Sequence, residues 1–115
     1  LTSGTPVAKE MAAAALWSLS GNNADNKVAI AKEGGLKPLI ALLTSGTPVA
    51  KEMAAAALWS LSGNNADNKV AIAKQGGLTP LIALLTSGTP VGKEEAAGAL
   101  GNLSANDDNK VAIAK

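Results

Sequence analysis

The 115-residue chain is predicted to be an all-α solenoid of three-helix units. Three observations carry that expectation. Residues 1–32 recur without a change at 43–74, which sets a period of 42 residues, and LTSGTP opens at Leu1, Leu43 and Leu85. Apolar residues recur at helical rather than strand spacing. Start and stop signals divide each period into three segments. The repeats run 1–42, 43–84 and 85–115 within one array, permuted and incomplete at both ends.

The first segment begins at Thr5-Pro6, where Thr5 caps the leading amides and Pro6 takes the first helical position, at which its missing N–H is harmless. Gly21 stops it. Projection at 100° per residue gathers Ala8, Ala12, Leu16 and Leu19 into a core face. NNADNKVAIAKEGG then offers Asn23 as a cap, Asp25 in the first turn, Val28, Ile30 and Ala31 as buried candidates, and Gly34-Gly35 as terminator. LKPLIALLTSG places Pro38 at a helix start and packs Leu39, Ile40, Leu42 and Leu43 before Ser45-Gly46. A unit this small cannot bury its own faces, so successive units must stack. The third copy keeps the plan and loses one loop residue between Ser104 and Lys110.

Repeats that diverge naturally accumulate neutral surface changes, so an identity of 32 residues points to recent duplication or to design. Composition narrows the function classes. With 47% hydrophobic residues the chain has enough apolar material for a core, and a net charge of +1 with interspersed Lys and acids argues against nucleic acid as a partner. Cysteine is absent, which rules out disulfides and thiolate metal sites. The longest apolar run, Met11 to Trp17, is too short for a membrane span. Without His, Cys, Tyr or Arg the usual general base, thiol nucleophile and anion clamp are missing. Asp107-Asp108-Asn109 lacks Ca²⁺-loop spacing and reads as a helix start. No enzyme, metal or cofactor is expected.

The stretch NKVAIAKEGGLKPLIALLTSGTPVAKEMAAAALWSLSG resembles an armadillo repeat through its unit length, the GGL-x-PLIALL middle helix, the KE-xx-A-xx-AL third helix and the NxxDNK start. The resemblance implies a right-handed α-solenoid whose third helices line a concave groove for an extended peptide. In that family an Asn one residue before the last core Leu bonds the peptide backbone, since an amide both donates and accepts. The matching positions are Ser18, Ser60 and Asn102, and only the last is Asn. A pocket-forming Trp four residues earlier maps to Ala14, Ala56 and Gly98.

Trp17 and Trp59 precede the ladder position and lie about 100° from it around the helix. They read either as anchors at the groove edge or as packing between third helices, and the projection favours packing. Met11 and Met53 project near the groove centre as adaptable surface. Glu10, Glu52 and Glu94, joined by Glu95, suggest an acidic ladder that would favour a Lys/Arg-rich peptide, although Lys9, Lys51 and Lys93 stand beside them.

The ends are expected to be bare. The array starts at the last residue of a middle helix and stops within a first helix, so Ala8, Ala12, Leu16 and Leu19 at one end, and Val111 and Ile113 at the other, lack partners. An EGGLKPLIAL-like segment would complete a third unit. Two functions follow: an engineered scaffold that binds extended peptides, or a structural array that self-associates head to tail, swaps domains, or needs a complementary chain.

Overall fold

The computed structural model describes residues 5–21 and 23–105. Its described helices are α1 (Pro6–Ser20), α2 (Ala24–Lys32), α3 (Leu36–Ser45), α4 (Pro48–Ser62), α5 (Ala66–Lys74), α6 (Leu78–Ser87) and α7 (Pro90–Ser104). α2-α3-α4 and α5-α6-α7 are the two full units, and α1 is the third helix of the unit before them. Leu1, the shortened loop beyond Ala105, and the helix expected from Asp107 with Val111 and Ile113 lie outside the described residues.

Local chemistry sets the boundaries. Thr5, Thr47 and Thr89 accept through Oγ1 from the amides of Ala8, Ala50 and Gly92 at 3.1, 3.1 and 3.0 Å, each followed by Pro at the first helical position. Asn23 and Asn65 accept from the amides of Asn26 and Asn68, both at 2.9 Å. The double glycine is needed twice over. Gly34 has φ +81°, a left-handed turn, while a Cβ at Gly35 would stand 2.7 Å from Ile30 Cγ2. α3 starts at Leu36, two residues ahead of the start expected at Pro38. Pro38 falls in the first turn, where its missing N–H breaks no helical bond.

α1, α4 and α7 lie side by side, with α3 and α6 packed behind α4 and α7. Leu36, Leu39, Ile40, Leu42 and Leu43 of α3 are all buried against α4, whose Ala50, Ala54, Leu58 and Leu61 form the face predicted for the third helix. In α1 the same face is open: Ala8 is exposed, Ala12 and Leu16 are half-buried, and Leu19 is 55% exposed against 0% for Leu61. The burial expected of Val28, Ile30 and Ala31 is likewise corrected, for Val28 is exposed and the other two are half-buried, whereas Ile72 is fully buried. The residues are identical, and the difference is the packing partner: α3 covers the later copy. On the far side, Ile82 and Leu85 of α6 are exposed where Ile40 and Leu43 of α3 are not.

Side chains stitch one unit to the next. Asn68 Nδ2 donates to Leu61 O at 2.9 Å and to Lys27 O at 3.1 Å, joining the end of α4 to α2. No single described helix is long and apolar enough to cross a membrane, and α5 with α6 reaches that length only across an 81° bend.

Candidate groove on the third helices

The C-terminal halves of α1, α4 and α7 border an open cleft of about 340 Å³ lined by Trp17, Ala56, Trp59, Ser60, Gly63 and Asn102, with Lys27 at its side. It therefore gathers residues from five of the positions expected in the groove. Both indoles line it and both are exposed, and Trp59 also packs across to α7: a Cβ at Gly98 would stand 2.5 Å from its Cε2. Trp59 thus packs between third helices, as the projection favours, while it also lines the cleft. Its ring covers the backbone at position 98, where the family resemblance places a Trp of the helix itself.

The ladder residues are turned toward their neighbours. Asn102 Nδ2 donates to Trp59 O at 2.9 Å and to Ser62 Oγ at 3.3 Å, which uses both amide hydrogens and leaves Oδ1 as its acceptor atom. Ser60, one repeat earlier, shares a hydroxyl–hydroxyl bond of 2.9 Å with Ser20. Ser20 and Ser62 also donate to the carbonyls of Trp17 and Trp59, each at 3.0 Å. The side chain at the ladder position therefore ties α4 to the end of α1 and α7 to the end of α4, and Asn adds a bond that Ser lacks. Ser18 is exposed.

Lys27 Nζ donates to Gly63 O at 2.8 Å, placing a cation at the C-terminal, negative end of α4. Sequence reading passed over Lys27, Gly63 and the Ser20/Ser62 pair. The recurrence of Ser two residues after each ladder position was the available signal.

Toward the other end of these helices lie the remaining candidates. Met11 is exposed, Met53 packs partly on the core, Ala14 is half-buried and Ala56 is buried in the cleft floor. Glu10 and Glu52 each accept from the capping Thr of the next third helix, Thr47 at 2.7 Å and Thr89 at 2.6 Å. Two carboxylates of the expected ladder thus brace helix caps. Glu94 is exposed, but Glu95, which occupies the position of Met11 and Met53, is only 8% exposed, and its Oε1 has no hydrogen-bond partner. Burial, then the charges of Glu52 and Glu94, push its carboxyl up to about 7. Among the described residues no group of three His, Cys, Asp or Glu is placed to hold a metal ion.

A solenoid of three-helix units with third helices lining one face is the architecture of an armadillo-type repeat protein. The family description "Armadillo/beta-catenin-like repeat" matches residues 23–63 and 65–105, and the chain belongs to that family. A comparison with curated proteins finds no match. Among solved structures, the engineered protein of Northeast Structural Genomics Consortium target OR329 is 33% identical and superposes with a TM-score of 0.94 over 99% of this chain. The engineered protein of target OR497 is also 33% identical, with a TM-score of 0.93 over 99% of this chain. The chain spans 47% and 28% of the lengths of those two proteins. Together with the exact duplication, these likenesses mark it as an armadillo repeat array of the engineered type.

Proposed function

We propose that the chain is a non-catalytic scaffold whose third-helix groove binds a short extended peptide. The cleft between the two indoles carries this reading, because it combines stacking surface from Trp17 and Trp59 with a lining Asn102 whose Oδ1 is an acceptor for a peptide N–H. The armadillo fold is typically non-enzymatic, and a chain without His, Cys, Tyr or Arg has few means of proton transfer or nucleophilic attack. Three third helices at about 10 Å spacing offer room for about six extended residues, so affinity is modest.

Within the groove, the corner of Glu52, Glu94 and Glu95 suits a Lys or Arg side chain of that peptide. The like charges of Glu52, Glu94 and Glu95 support this, since a cation beside the exposed Glu94 would relieve them. A random peptide library selected against the chain tests the proposal: enriched sequences should change the Trp fluorescence and lose binding in Glu95→Met. Failure to enrich any sequence over an unrelated helical control would reject it.

A second reading, a structural array that self-associates without a ligand, draws on the exposed outer faces of α1 and α6 at Leu19 and Ile82. Light scattering across a concentration series separates the two, because a monodisperse monomer at high concentration excludes assembly.

A further inference from the structure

We infer that the Trp cleft holds a carboxylate, so that the bound peptide carries an acidic side chain directly next to its Lys or Arg. The inference rests on the peptide-groove reading and adds the charge pattern of the ligand. Of the residues that line the cleft, Lys27 alone is charged. Its ammonium donates to Gly63 O at 2.8 Å and makes no ion pair among the described residues, which leaves two N–H donors for a ligand. A backbone carbonyl is a weaker partner for an ammonium than a carboxylate is.

Gly63 makes room beside that cation. A Cβ there would stand 3.5 Å from Lys27 Nζ and 3.7 Å from Asn102 Nδ2, so the missing side chain leaves a space that two nitrogens border. Asn102 Nδ2 has given its hydrogens to Trp59 O and Ser62 Oγ and contributes the positive end of its amide dipole rather than a bond. Ser60 O also lies 3.5 Å from the same point, so the carboxylate must approach from the Lys27 side. Trp17 and Trp59 offer apolar surface to the stem of the acidic side chain.

The second pole fixes the spacing. Glu95 and Asn102 are seven residues apart on α7, which is two turns on one face and about 10 Å along the axis. The acidic corner of Glu52, Glu94 and Glu95 and the space beside Lys27 therefore flank an extended peptide laid across α4 and α7. Successive side chains of an extended chain project to opposite sides. A Lys or Arg turned toward the corner thus turns its neighbour in the peptide toward Lys27.

The test is titration of the full chain, followed by Trp fluorescence, with the acetylated and amidated hexapeptides TVKEVT, TVKQVT and TVKKVT. TVKEVT should bind about three- to fivefold more tightly than TVKQVT, the range of a partly exposed ion pair, and high salt should shrink the difference. Lys27→Gln should abolish it. Gly63→Ala should reduce it by filling the space, at a position whose φ of −66° and ψ of 126° suit any residue and where the third copy has Ala105. Lys27→Glu should invert the preference and make TVKKVT the tightest ligand, whereas a purely structural role of Lys27 would weaken all three peptides alike. Parallel losses of that kind, or equal binding of the three peptides to the unaltered chain, would overturn the inference and leave the groove reading standing. TVKQVT with a free C-terminal carboxylate binding as tightly as amidated TVKEVT would overturn it by assigning the space to a chain terminus. Binding of none of the peptides at millimolar concentration would also overturn it, and the library selection then decides the groove reading separately.

Discussion

The indole of Trp59 lies on the bare backbone of Gly98, so close that a methyl group there would stand 2.5 Å from Cε2. Gly within a helix ordinarily costs about 1 kcal/mol relative to Ala, so Gly98→Ala should stabilise α7 by that amount in isolation. With Trp59 present the gain should vanish or reverse, because the half-exposed ring must leave its seat. In a Trp59→Ala background the gain should return, giving a coupling of about 1 kcal/mol or more in a double-mutant cycle measured by urea unfolding. Additive effects would show that the contact is energetically idle.

Glu95 makes stability depend on pH in the direction opposite to a salt-bridged acid. Its folded pKa, raised to about 7 from 4.5, means that the native state binds more protons than the unfolded chain between those values. Stability is greatest below the unfolded pKa, falls as pH rises toward 7, and is flat above. The loss should be on the order of 2 kcal/mol. Glu95→Met restores the residue of positions 11 and 53 and should remove this slope. Denaturant unfolding of both chains at pH 5 and pH 8 checks it, and parallel pH dependences would contradict the assignment.

The caps are unequal although their residues match. Thr89 Oγ1 receives the amide of Gly92 and donates to Glu52, a bond across repeats that Thr5 has no counterpart for among the described residues. Thr89→Ala should cost about 2 kcal/mol and Thr5→Ala about 0.5–1 kcal/mol. Equal losses in thermal unfolding would mean that the Glu52 brace contributes nothing.

Asn26 and Asn68 are the same residue in duplicated segments and each donates to the end of the preceding third helix, yet only Asn68 is buried and reaches a second carbonyl, Lys27 O. Asn68→Ala strands two carbonyls, Leu61 O and Lys27 O, and should destabilise by about 2–3 kcal/mol. Asn26→Ala releases Leu19 O, which lies near water, and should cost about 1 kcal/mol or less. The ratio of the two, measured under one condition, is the informative quantity.

Helix order, Thr-Pro starts, Asn caps and the Gly-Gly turn were legible because each rests on bonds within a few residues. The apolar face read in α1 was also legible, although the structure completes it in α4, at Ala50, Ala54, Leu58 and Leu61. Pro38 misled by two residues because a proline fits anywhere in the first turn. For the groove, the sequence identified the positions and missed what holds them. The bonds of Asn102 to Trp59 and Ser62, of Thr89 to Glu52, and of Lys27 to Gly63 join residues 36 to 43 apart.

The sequence by itself determined a repeated three-helix unit, its caps and its core face, since backbone geometry and hydrophobic period are local properties. The tertiary structure alone decided how far each copy of that face is covered, where the Asn102 amide spends its hydrogens, and that Glu95 is buried without a partner. Those outcomes depend on the rotation and offset between neighbouring units. Identical residues in α1 and α4 meet different surroundings, so no reading of one repeat could have separated them.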